Sequence, residues 1–229
     1  MMKKILIIET NIPKYDNYNK PTGLWLGETT HFYEEVISAG YEVDFASPNG
    51  GYIPIDPESF KYANEVDWKW YTDKNFRECA LSNTRKIKEL NPHDYIAIYY
   101  TGGHGVLWDY PGNNDLRKIA EQIYKSGGFL VSVCHGAAGL LNLMDENEEY
   151  LIKGKVITGF TNDEEKINGT TAKVPFLTET ELIQCGAKYK KVSPFKEFVV
   201  TDGHIITGQN PQSPKKVGSV LIEELKKSK

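Results

Sequence analysis

Gly127-Gly128-Phe129-Leu130-Val131-Ser132-Val133-Cys134-His135-Gly136-Ala137-Ala138-Gly139 is the stretch on which the fold turns. Phe129 to Val133 is short and apolar, the pattern of a central parallel strand covered on both faces. The strand stops on a cysteine. Gly136 to Gly139 then allows a tight turn into a helix running through Leu140, Leu141 and Leu143. Cys134 is therefore expected in a strand-to-helix elbow, the device of the G-x-S-x-G turn with sulfur in place of oxygen. Unpaired N–H groups at a helix N-terminus favour a thiolate there. A buried cysteine that only packs is the competing reading of the same residue.

On either side of this stretch, strand-like runs alternate with helical ones, the sign of parallel βαβ units. Lys4 to Ile8 reads as the first strand, Glu28 to Ala39 as a helix, Tyr41 to Ala46 and Asp94 to Tyr100 as strands, and Asn114 to Lys125 as a helix broken by Gly127-Gly128. Ser82 to Leu90 reads as helical, Thr161 to Lys166 as an acidic loop and Thr178 to Cys185 as a helix. Phe198 to Thr201 and His204 to Thr207 form a hairpin around Asp202-Gly203. Pro214 to Lys229 closes the chain as an amphipathic helix. Residues 1–229 are expected to form one domain, with a cap insertion at about 49–76 whose aromatics can cover a pocket.

Lysine and arginine total 27 against 31 aspartate and glutamate, a formal net charge of −4 with no basic stripe. Nucleic acid is thus not an expected partner. Met1 to Thr10 has only four consecutive apolar residues before Glu9, so it reads as a strand and not a leader. No run is long enough for a membrane span. Three widely spaced cysteines, Cys79, Cys134 and Cys185, argue against a disulfide framework or a zinc site and fit a reducing cytoplasm. Cys79 and Cys185 sit in helical patterns and read as packing residues.

Ligand chemistry in a parallel sheet gathers at the strand C-termini. Thr101-Gly102-Gly103-His104-Gly105 follows a strand, and its backbone N–H groups, with that of His135, can form an oxyanion hole. Glu28 opens a helix at the same edge. A carboxylate of Asn162-Asp163-Glu164-Glu165 can orient His135, which would complete nucleophile, base and orienter. His31 and Glu35 at i, i+4 spacing read as a surface pair, since no third metal ligand is evident. His93 and His204 read as surface residues, and Trp68 and Trp70 as core or lid.

Four motifs in order, Tyr99 to Pro111 (YYTGGHGVLWDYP), Val131 to Gly136 (VSVCHG), Ile157 to Glu165 (ITGFTNDEE) and Asp202 to Pro211 (DGHIITGQNP), resemble the ThiJ/PfpI superfamily of class I glutamine-amidotransferase-like proteins, in its heat-shock chaperone and glyoxalase III branch. The resemblance spans nearly the whole chain. It implies an α/β, flavodoxin-like sandwich with a mainly parallel sheet, Cys134 as nucleophile, His135 beside it and Glu28 as partner carboxylate. The third acid follows the T-G-F-T register, which favours Glu165, then Asp163; Asn162 cannot serve as an anion. Gly102, Gly103 and His104 are implied at the oxyanion and substrate site. Ala137 stands where many relatives have proline. The implied activity is conversion of methylglyoxal to lactate without a cofactor or metal, with protein deglycation as a related reaction; the substrate is a small reactive aldehyde and the assembly a homodimer. A stress holdase with a redox-sensing Cys134 and a cysteine peptidase or amidase are the alternatives.

Overall fold

Ile5, Leu6, Ile7 and Ile8 are all fully buried in the first strand, β1 (Lys4–Ile8). Their side chains alternate: Leu6 and Ile8 enter one apolar cluster, Ile5 and Ile7 another. A strand with period-2 side chains and no polar face has to be covered on both sides. The computed structural model, which describes residues 4–227, does this. After β1 come α1 (Leu26–Ser38), β2 (Val43–Ser47), α2 (Glu65–Thr72), α3 (Lys74–Phe76), β3 (Arg85–Lys86), β4 (Tyr95–Tyr100), α4 (Val106–Asp109), α5 (Asn114–Lys125) and β5 (Phe129–Val133). Then follow β6 (Val156–Ile157), α6 (Asn162–Ile167), α7 (Thr178–Gln184), β7 (Lys188–Tyr189), β8 (Val199–Asp202), β9 (Ile205–Gly208) and α8 (Pro214–Lys227).

Seven strands form one sheet in the order β3-β2-β1-β4-β5-β9-β8, parallel except for β8, which pairs antiparallel with β9. The chain moves outward from β1 to β2 and returns to the other side of β1 with β4. This reversal opens a crevice at the strand C-termini. Leu116, Ile119, Ala120 and Ile123, at helical i, i+3, i+4, i+7 spacing, bury α5 on the Leu6 face. Phe32 and Val36 of α1 and Val217 and Leu221 of α8 cover the Ile5 face. The fold is therefore the expected α/β sandwich with a mainly parallel sheet, and the β8–β9 hairpin is present but turns at Gly203-His204, one residue later than expected, because Asp202 still pairs with Ile205.

Several local expectations are corrected. Ser82 to Leu90 is not a helix: Arg85 and Lys86 pair with Ala46 and Ser47, and the 3₁₀ turn Ile87–Glu89 follows. Thr84 fixes this edge, its hydroxyl meeting Ser47 Oγ at 2.7 Å and donating to Gly51 O at 2.8 Å. Thr161 to Lys166 is not a loop, because Thr161 and Glu164 form a capping box that starts α6. The turn after β5 is 3₁₀ over Cys134–Leu140 rather than an α-helix. Cys79 is exposed, so it does not pack, whereas Cys185 is buried. Trp68 is 43% exposed, outside any core. His204 stacks on Phe129 with centroids 4.5 Å apart. No helix among the described residues is long and apolar enough to cross a membrane.

Candidate active site

Glu28 stands in the first turn of α1, fully buried. Two contacts to β4 place that turn. Phe32 stacks on Tyr99 with centroids 3.6 Å apart, and Tyr99 Oη donates to Glu28 O at 2.8 Å. The Glu28 carboxyl accepts the Gly102 N–H at Oε2, 2.7 Å, and also interacts with the Cys134 thiol. The Gly102 N–H is therefore held by Glu28, which corrects its expected place in an oxyanion hole. A Cβ on Gly102 would lie 2.6 Å from Oε2 and 3.1 Å from both the His135 and the Gly136 nitrogen, so the glycine leaves room where these groups converge. Burial raises the Glu28 pKa to about 8, against the smaller opposing effect of its hydrogen bonds to Cys134 and Gly102.

Cys134 ends β5 with φ of 57°, a left-handed backbone that a non-glycine residue adopts at a cost. The elbow is held from below by close approach: a Cβ on Gly136 would lie 2.3 Å from Tyr100 O and 2.6 Å from Thr101 O. The thiol is 3% exposed, and its Sγ lies 3.4 Å from His135 Nδ1. Burial pushes the thiol well up, the Glu28 carboxyl adds to this, and the His135 backbone N–H opposes both. Both effects act against the thiolate expected at a helix N-terminus. In this dry elbow desolvation outweighs the helix N-terminus, and the thiol needs a base to take its proton.

That base is oriented by a carboxylate shared between two imidazoles. Glu165, 2% exposed, accepts His135 Nε2 at Oε2, 2.8 Å, and His104 Nε2 at Oε1, 2.9 Å; Thr170 Oγ1 donates to Oε1 as well. Burial by itself would raise the Glu165 carboxyl, but His135 and His104 hold it well below the ordinary range. An ionised carboxylate only accepts, so both Nε2 atoms carry protons. His135 then presents a bare Nδ1 to the Cys134 thiol. Burial first, and His104 second, hold the His135 pKa below its usual value, which keeps that Nδ1 unprotonated. Asp163, the second-choice acid, instead faces Lys191 at 3.0 Å on a side chain 62% exposed.

His104, His135 and Glu165 present ligand atoms within 4.8 Å of one another, a set able to hold a metal ion. Their N···O distances of 2.8 and 2.9 Å are those of direct hydrogen bonds, so an ion would have to replace both bridging protons.

The site opens into a cavity of ≈ 690 Å³, with Cys134, His135, Gly103 and His104 on its inner wall and Trp25 and Tyr62 among its aromatic lining. Among the described residues no lysine or arginine lines it. Gly103, at φ 96°, shapes this wall, since a Cβ there would lie 2.2 Å from Gly23 O. His31 pairs with Asp67 of α2 at 3.2 Å and not with Glu35, and both line the cavity, which ties the segment around α2 to α1. Sequence reasoning missed three contributors. Phe160, the aromatic of the T-G-F-T register, lies against the His135 ring, 4.3 Å between centroids, and Thr170, which has no sequence signal, donates to Glu165. Glu164 accepts Phe195 N, Gln209 Nε2 and Asn210 Nδ2, joining α6 to the segment after β9. The T-x-x-E box at Thr161 is the signal that would have found it.

The DJ-1/PfpI family profile matches residues 26–224. The chain is similar to "Glyoxalase 3" of Candida albicans, 37% identical over 97% of this chain and 98% of that protein. It is also similar to "Glutathione-independent glyoxalase HSP31" of Saccharomyces cerevisiae, 35% identical over 98% of each chain. A crystal structure of glyoxalase III from Candida albicans superposes with a TM-score of 0.88 at 38% identity, covering 96% of both chains.

Proposed function

The chain belongs to the DJ-1/PfpI family, and on that premise we propose that it is a cofactor-independent glyoxalase converting methylglyoxal to lactate. The observation that carries this reading is Cys134 at the elbow, with His135 Nδ1 3.4 Å from its sulfur and the Glu28 carboxyl beside it. The names of the relatives point to the same reaction.

His135 Nδ1 takes the thiol proton and the thiolate sulfur bonds to the aldehyde carbon. Glu28, protonated at rest, gives its proton to the oxygen left on that carbon, forming the hemithioacetal and leaving a carboxylate beside the carbon–hydrogen bond. Backbone N–H groups of His135 and Gly136, which converge beside Gly102, are the donors we assign to the charge that develops on this oxygen. Glu28 then removes the proton on carbon while His135 gives the former thiol proton to the ketone oxygen, producing an enediol. Glu28 delivers its proton to the second carbon. The remaining enol proton passes to His135 Nδ1, and a lactoyl thioester stands on Cys134 with Glu28 as carboxylate. Water cleaves it to lactate and free thiol. Each proton removed has a named acceptor.

We place the enzyme in the cytoplasm as a homodimer, with residues 1–229 as one catalytic domain and the segment at about 49–76 as its cap. The test is incubation with methylglyoxal in the absence of glutathione. Lactate should form with the natural protein and not with Cys134→Ser. Equal lactate from both, or none from the natural protein, overturns the reading.

A further inference from the structure

Three imidazoles line this cavity: His31 is paired with Asp67, and of the two bound to Glu165 the glyoxalase reaction above uses only His135. Glu165 binds both through Nε2, at 2.8 Å for His135 and 2.9 Å for His104, so both rings are fixed in the tautomer that leaves Nδ1 bare. His135 Nδ1 is occupied by the Cys134 sulfur at 3.4 Å. His104 Nδ1 has no hydrogen-bond partner among the described residues, and His104 lines the cavity into which Cys134 opens. The rings lie 4.2 Å apart, tilted by 42°, so an acyl group carried on the sulfur occupies space that His104 borders.

We propose that His104 is the general base of the hydrolytic half-reaction, taking a proton from the water that cleaves the lactoyl thioester. This rests on the glyoxalase reading above. His104 Nδ1 accepts one water proton as the water oxygen bonds to the acyl carbon; the carbon–sulfur bond breaks, and the sulfur takes a proton from His135 Nδ1. The proton on His104 passes to solvent, the carboxyl proton of the acid passes to Glu28, and lactate leaves as its anion. His135 is unsuited to both tasks at once, because at that moment it holds the proton the leaving sulfur needs. The shared carboxylate thus orients one base for the thiol and another for water.

The test is His104→Gln, whose amide can still donate to Glu165 but offers no imidazole nitrogen to water. Lactate turnover should fall by about 10²- to 10⁴-fold, the scale of a lost general base. On mixing with methylglyoxal, intact-mass spectrometry should show Cys134 accumulating an adduct of one methylglyoxal, released by hydroxylamine as expected of a thioester. Alkylation of Cys134 by iodoacetamide should proceed at the natural rate. In His104→Ala, added imidazole should restore lactate release. Slowed alkylation with no adduct would mean that His104 only positions Glu165, and natural turnover in His104→Gln would mean that it does nothing; either result overturns the proposal while leaving the glyoxalase reading intact. A natural protein that forms neither adduct nor lactate removes both.

Discussion

Glu28 holds a proton near neutral pH because its carboxyl has no water around it, and this gives activity a direction with pH. The protonated form is required, and it is lost as pH rises through about 8, so kcat/KM should fall on that limb. Glu28→Gln keeps an N–H to offer Cys134 but has no transferable proton. Its lactate formation should be almost abolished at every pH, with Cys134 still open to alkylation; turnover near the natural level would demote Glu28 to a helix-opening residue. At the other end of the site, Glu165→Gln should lower turnover by about 10- to 100-fold, the scale of losing an orienting partner, because its amide N–H₂ faces an imidazole that needs an acceptor. Asp163→Asn, on an exposed ion pair with Lys191, should leave turnover unchanged. Equal effects from the two would sink the orienting role. The places of Cys134, Glu28 and Glu165 at one sheet edge were legible because Cys134 ends an apolar strand, Glu28 opens a helix and Glu165 follows the T-G-F-T register. The state of the thiol was not, since its raised pKa comes from burial and from Glu28, 106 positions away in sequence.

The elbow depends on a residue with no side chain. Gly136→Ala would put a methyl 2.3 Å from Tyr100 O, a strand atom that cannot move aside. The expected cost is at least the 1–3 kcal/mol typical of overpacking, measured by denaturant unfolding. Gly154→Ala is a control with open space around it, where only the φ of 75° opposes the change. Equal losses at the two positions would show that the close approach at Gly136 is not what fixes the turn. Elements with a strong period were read correctly, as with α5, whose apolar residues recur at helical spacing and whose end is marked by Gly127-Gly128. Short edge elements were not. Arg85-Lys86 follows a helix-like stretch but is drawn into the sheet by Thr84, and Lys188-Tyr189 pairs with Val156-Ile157. A two-residue strand has no period of its own, so partners distant in sequence decide it.

Across the whole molecule, buried carboxylates set the response of stability to pH. Burial raises Glu9 to about 8, Glu28 to about 8 and Asp109 to about 7, from ordinary values of 4.5, 4.5 and 3.8. Each binds its proton more tightly when folded than when unfolded, so the stability it contributes is fully present below its unfolded value. It is lost as pH rises through the folded one. The melting temperature should therefore decline between about pH 5 and pH 8. Glu9, whose Oε1 accepts from Thr29 Oγ1 at 2.9 Å and which touches no reacting group, isolates the effect. Glu9→Gln should flatten that decline and raise stability at pH 8, where one pKa unit corresponds to about 1.4 kcal/mol. A natural protein equally stable at both pH values would refute the assignment.

The cavity wall presents no amine or guanidinium group among the described residues. A dicarbonyl condenses with primary amines and guanidinium groups, and this chain has 27 lysines and arginines for it to attack, none of them among the described residues lining the cavity. Self-inflicted glycation is thus confined to the outer surface, where an adduct alters charge without plugging the entrance. The catalyst can age on its outside while the chamber in which it works stays clean.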